Sequence, residues 1–157
     1  MSTNVIGIDK VQAQGLARGL NDLLANYQVF YMNTRGYHWN IRGKDFFELH
    51  LKFEELYTDL LTKIDEIAER VLTLGEQPDH TYSAYLNSAE IKERTDVSDG
   101  SEAVSQILEA FRAVIQKQRA VLAQAGEAQD EGTAALMSDY IREQEKLVWM
   151  YSAYLNR

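Results

Sequence analysis

The chain has 157 residues, a net charge of −8, one proline and no cysteine, which is enough length for one domain with a real core. The absence of cysteine excludes disulfides, thiolate zinc sites and cysteine-ligated iron–sulfur clusters. Acidity argues against phosphate-backbone binding by bulk electrostatics. The start, Met1 to Val5, has neither the basic residues nor the apolar run of a signal peptide. No apolar run approaches the roughly 20 residues of a membrane span, so the expected location is the cytoplasm.

Four long helices and one short one are expected, with no strand. The first runs from about Asp9 to about Trp39, with Leu16, Leu20, Leu23, Leu24, Tyr27, Phe30 and Tyr31 at helical spacing. Asn40-Ile41-Arg42-Gly43 closes it. Asp45, with Glu48 three residues on, reads as a capping-box-like start to a second helix that ends at Leu74 before Gly75 and Pro78. The stretch from His80 to about Arg94 is a long connection with a short helix near Tyr82–Leu86. Asp99-Gly100-Ser101 opens the third long helix, ending near Gly126, and the fourth runs from Asp130 to about Asn156. Short turns make two antiparallel hairpins, and the longer middle connection suits a crossover. The fold class expected is an all-α, ferritin-like four-helix bundle in a single domain over residues 1–157, read as an up-down pattern with one long crossover.

The second helix divides into three sectors when residues are placed about 100° apart with His50 at zero. Phe46, Phe53, Leu60, Ile67 and Leu74 recur every seven residues and form the core stripe. Glu48, Lys52, Glu55, Asp59, Lys63, Glu66 and Arg70 form what reads as a solvated face. The remaining sector holds His50, Glu54, Asp65 and Glu69, interleaved with Leu51, Leu61, Ala68 and Leu72. His50/Glu54 and Asp65/Glu69 are each i,i+4 pairs on one face. Acid pairs on helices are usually solvated surface. Here, however, two like charges sit together in a partly apolar sector, where burial against a partner would demand a cation.

One chain cannot bring these groups to one ion. At about 1.5 Å per residue, Glu54 and Asp65 are roughly 16 Å apart and His50 and Glu69 roughly 28 Å apart, against first-shell distances of about 2.0–2.6 Å. The residue numbers of the pairs His50/Glu69 and Glu54/Asp65 both sum to 119. Two copies of the helix packed antiparallel about a two-fold axis near residues 59 and 60 would therefore bring each pair together, twice per dimer. His38 and His50 are equidistant from Lys44 across the first hairpin, so they should face each other. One subunit then offers His38, His50 and Glu54, and the other offers Asp65 and Glu69. Imidazole and carboxylate donors without thiolate suit iron, manganese or zinc. Trp39, beside His38, reads first as an interface aromatic, with a redox role as the less common alternative. His80 lies in a loop and carries no expectation. No Glu-x-x-His occurs in the chain, which counts against the usual di-iron site inside a bundle.

Together these stretches resemble the Dps family, the mini-ferritins named as DNA-binding proteins from starved cells. The resemblance rests on Tyr37-His38-Trp39-Asn40-Ile41-Arg42-Gly43, Asp45-Phe46-Phe47-Glu48-Leu49-His50, Asp65-Glu66-Ile67-Ala68-Glu69-Arg70 and Lys146-Leu147-Val148-Trp149-Met150-Tyr151. It implies a hollow dodecamer with ferroxidase centres at two-fold interfaces. The implied reaction oxidises Fe(II), preferably with hydrogen peroxide or else with dioxygen, and stores ferric mineral inside. It also implies acidic three-fold pores near the start of the last helix, where Glu127, Asp130 and Glu131 lie, with Glu131 the foremost candidate and an acidic capping turn the competing reading. Two departures stand out. Glu54 occupies a position that is often Asp in the family. The ends lack a basic tail, since Met1–Lys10 carries one lysine and the last residue is Arg157. Weak or absent DNA binding is therefore expected, the alternative being a nucleoid-protecting DNA binder with little ferroxidase activity. A purely structural helical oligomer would need Lys or Arg in the His50 sector, and there are none.

Overall fold

The structure is a computed structural model and describes residues 2–157; Met1 lies outside them. It contains α1 (Lys10–Asn40), α2 (Phe46–Thr73), α3 (Tyr82–Ser88), α4 (Gly100–Glu127) and α5 (Glu131–Tyr154). Four starts are capped by side chains at N-cap positions: Asp9 accepts from the Gln12 amide, Thr81 from Ala84, Asp99 from Glu102 and Asp130 from Thr133. The expected box at Asp45 does not form. With ψ at 21° its backbone has already left the extended region an N-cap normally uses. Its carboxylate accepts instead from the Tyr154 hydroxyl at 2.8 Å, tying the start of α2 to the end of α5. Gly75, at φ +89°, ends α2. The Gly75 and Glu76 amides donate back to the Leu72 and Val71 carbonyls, the paired closure that a left-handed glycine permits.

Helix direction follows from contacts at the two ends. Arg42 donates its amide to the Ser98 carbonyl, so α4 begins where α1 ends. Asn21 bonds to Gln77 and Arg70 to Asp130, which places the starts of α1 and α5 beside the end of α2. The connection from Gly75 to Asp99 therefore travels the length of the bundle, and α2 and α4 run in the same direction. The order is up-down-down-up, as a bundle with one long crossover requires. Asn26 and Asn33 of α1 hold this connection by bonding the Glu90, Ile91, Lys92 and Arg94 backbone. One continuous apolar core takes side chains from all four long helices, including Leu20, Phe30, Phe53, Leu60, Phe111 and Met137. Among the described residues no helix is long and apolar enough to cross a membrane.

Candidate metal centre

The turn between α1 and α2 brings His38 and His50 face to face, with ring centroids 3.8 Å apart and planes 12° from parallel. Each ring is held by the other residue's backbone. His38 Nδ1 lies 2.6 Å from the His50 carbonyl oxygen, and His50 Nδ1 lies 2.8 Å from the His38 carbonyl oxygen. A carbonyl only accepts, so each Nδ1 carries the proton. The nitrogen left to ligate a metal is then Nε2 in each ring, the arrangement a backbone-held imidazole presents. His38 is buried and His50 half-buried. Phe46 stacks on the outer face of His50 at 4.9 Å, and Tyr57 meets His38 edge-on at 5.4 Å. Glu54, one turn beyond His50, places Oε1 3.8 Å from His38 Nε2.

Asp65 and Glu69 are not part of this group. Both are exposed further along α2, and neither carboxylate makes an ion pair or hydrogen bond with another described residue. Among the described residues no three His, Asp or Glu side chains could hold a metal ion within one chain. The same stripe of α2 exposes Phe47, Leu51, Leu61 and Leu72 by half or more, and Trp39 is exposed beside it. Phe47 was absent from the sector read in the sequence, although counting backward from His50 places it there.

The opposite flank of α2 departs from the solvated face expected of it. Lys63 is 3% exposed, with its ammonium 2.8 Å from Asp59, 3.1 Å from Glu143 and 5.0 Å from the Tyr140 ring centroid. Tyr140 donates to Glu66 at 2.7 Å. Arg70 reaches Asp130 at 2.7 Å and the Thr133 hydroxyl at 2.8 Å. These residues form a polar seam between α2 and α5. Burial, then the bond to Glu66, push the Tyr140 phenol far above its ordinary value.

Asp130 is 2% exposed and bonded to Arg70, the Thr133 amide and the Thr133 hydroxyl. It is a helix cap with an internal counter-charge, whereas Glu127 and Glu131 face solvent. His80 is exposed, with Nδ1 3.1 Å from the Pro78 carbonyl oxygen. At the bundle centre Tyr27 donates to Gln118, Gln118 to Gln144 and Gln144 back to Tyr27, a closed ring with no carboxylate in it. That agrees with the missing Glu-x-x-His. Sequence reading missed the surroundings of Trp39. The Arg35 guanidinium lies 4.7 Å from the Trp39 ring centroid and 5.6 Å from those of Tyr31 and Tyr57. Spacing alone (31, 35, 39 on one helix face) could have raised three of these four residues.

Known proteins agree with this architecture. The Ferritin-like domain family matches residues 17–157. A DNA protection during starvation protein of Porphyromonas gingivalis is 44% identical over 153 residues, covering 98% of this chain and 96% of that one. The crystal structure of a Dps protein from Vibrio cholerae O1, described as a member of a superfamily of ferritin-like diiron-carboxylate proteins, superposes with a TM-score of 0.97 at 63% identity, covering 99% of this chain and 98% of that one. A Dps protein from Bacillus brevis superposes with a TM-score of 0.89 at 40% identity, over 92% of this chain and 97% of that one. By helix order, matched length and identity alike, the chain belongs to the Dps family of ferritin-like proteins.

Proposed function

We propose that this protein is a ferroxidase of iron storage and detoxification, with its reaction centre shared between two copies of the chain. The observation that carries the reading is the reciprocal histidine clasp. It leaves two Nε2 lone pairs beside Glu54, while the unpartnered Asp65 and Glu69 lie on the same stripe of α2. In an antiparallel pairing about residues 59 and 60, His38, His50 and Glu54 of one copy meet Asp65 and Glu69 of the other. Apolar residues of the stripe fit the same register: Phe47 would face Leu72 of the second copy, and Leu51 would face Ala68.

In this reading Fe(II) is the substrate. The imidazoles and carboxylates bind it, and the clasp keeps the rings aimed before it arrives. Three carboxylates offset the positive charge that grows on oxidation. Hydrogen peroxide is the preferred oxidant and dioxygen the slower one; consuming peroxide and Fe(II) together suppresses hydroxyl-radical formation. Zinc and manganese suit the same donors. The ferric product is stored as mineral in a hollow homo-oligomer, a dodecamer, in the cytoplasm, with Glu127 and Glu131 as pore acids. The relatives' starvation name notwithstanding, the charge of −8 supports weak or absent DNA binding.

The test is the double substitution His50→Ala with Asp65→Ala. It should abolish peroxide-driven Fe(II) oxidation while size-exclusion chromatography still shows the assembled oligomer. Unchanged oxidation kinetics would refute the site. A plasmid mobility shift at moderate salt and neutral pH would refute the prediction for DNA.

A further inference from the structure

The crossover between α3 and α4 does not lie flat on the bundle. Where it passes over α1 and α4, residues 90–94 roof a cavity of about 200 Å³. An apolar cavity of about 150 Å³ is enough to hold benzene, so this one has room for a substituted six-membered ring. Phe30 of α1 and Ile107 and Ala110 of α4 give it an apolar floor. The roof is tied down rather than loose. Asn33 donates to the Lys92 carbonyl and accepts from the Arg94 amide, both at 2.9 Å.

The polar groups around this floor are few, and their pairing says what they can still do. Tyr37 donates to the Gln106 side-chain oxygen at 2.6 Å, which occupies the phenol's proton and leaves its oxygen as an acceptor. On the rim, the Arg94 guanidinium is neutralised by Glu109 at 2.9 Å, and Glu90 lies 3.9 Å from the Lys117 ammonium. Lys92 lines the same cavity, is exposed and has no carboxylate at ion-pair distance among the described residues. The rim thus keeps one cation without a counter-charge, on a flexible stem that can follow a ligand. A concave apolar floor with a few convergent polar groups is the usual form of a small-molecule site. We infer that this cavity binds a small aromatic monocarboxylate. The ring lies on Phe30 and Ile107, the carboxylate meets the Lys92 ammonium, and a ring hydroxyl donates to the Tyr37 oxygen. The inference does not draw on the metal centre and stands or falls apart from it.

Isothermal titration calorimetry of the assembled protein with 4-hydroxybenzoate should show saturable binding with a Kd below about 1 mM. 4-Hydroxybenzylamine has a similar shape and the opposite charge, and should bind on the order of tenfold more weakly. Lys92→Gln should weaken 4-hydroxybenzoate binding by about tenfold, and Ala110→Leu, which fills the cavity from its floor, should abolish it. Lys92 is exposed, so its variant keeps the fold even where the larger leucine disturbs the core. No saturable binding to the unsubstituted protein, equal affinity for the amine, or undiminished binding in either variant would overturn the assignment.

Discussion

The two flanks of α2 use their charged residues in opposite ways. On the flank toward α5, Lys63, Glu66 and Arg70 each find a partner inside the same chain, on Glu143, Tyr140 and Asp130. On the other flank Asp65 and Glu69 find none, and Leu61 and Leu72 stand exposed on either side of them. A charged group whose counter-charge is supplied internally holds the fold together. One left unpaired among exposed leucines fits the proposal that its partners are a cation and a second copy of the chain.

Substitutions on the two flanks should therefore fail differently. Leu61 lies near the proposed two-fold axis, so Leu61→Lys places two ammonium groups close together in the dimer. Oligomers should dissociate, and Fe(II) oxidation should fall on the order of tenfold or more, with every proposed ligand still present. Sedimentation velocity alongside stopped-flow oxidation checks both parts. On the α5 flank, Asp130→Ala removes a helix cap and strands the Arg70 guanidinium. Denaturant unfolding should show a loss of about 3 kcal/mol. Replacing Lys63 with Met should cost less, about 1–2 kcal/mol, because Asp59 and Glu143 can turn to water once the ammonium is gone. Thermal melts measure it, and Co(II) affinity at the candidate centre should not move.

The smallest effect concerns alkaline pH. Burial, followed by the bonded Asp45 carboxylate, pushes the Tyr154 phenol from 10.0 up to about 12. The folded state then holds this proton more tightly than the unfolded chain does. Its contribution is fully present below pH 10 and is lost as pH rises toward 12. Tyr154→Phe should make the decline of stability in that window shallower, as read from melts at stepped pH.

The pairing of the two histidines was legible because a hairpin is geometrically simple. Equal distance from Lys44 predicted that His38 and His50 face each other, and the rings stack. The polar seam was not legible. Lys63 and Arg70 sit at the edge of the core stripe, where a charged residue looks the same whether water or another helix lies opposite. Asp45 had a cap's sequence, but the backbone after Gly43 does not take a cap's conformation. The direction of α4 follows from the crossover that the long connection after Gly75 suggested. Tyr57 escaped notice because it joins the Tyr31, Arg35 and Trp39 face of α1 from a second helix and shares no period with it.

The central claim is that the ferroxidase centre exists only where two copies meet, and complementation tests it most directly. One variant would lack the imidazoles (His38→Ala, His50→Ala) and the other the distal acids (Asp65→Ala, Glu69→Ala), each inactive alone. When the two are co-expressed and mix freely, half the dimers are hybrids, and each hybrid contains one fully intact centre of its two. Fe(II) oxidation should return to about a quarter of the wild-type rate. Mixed oligomers that remain inactive, or activity in either variant alone, would contradict the shared centre.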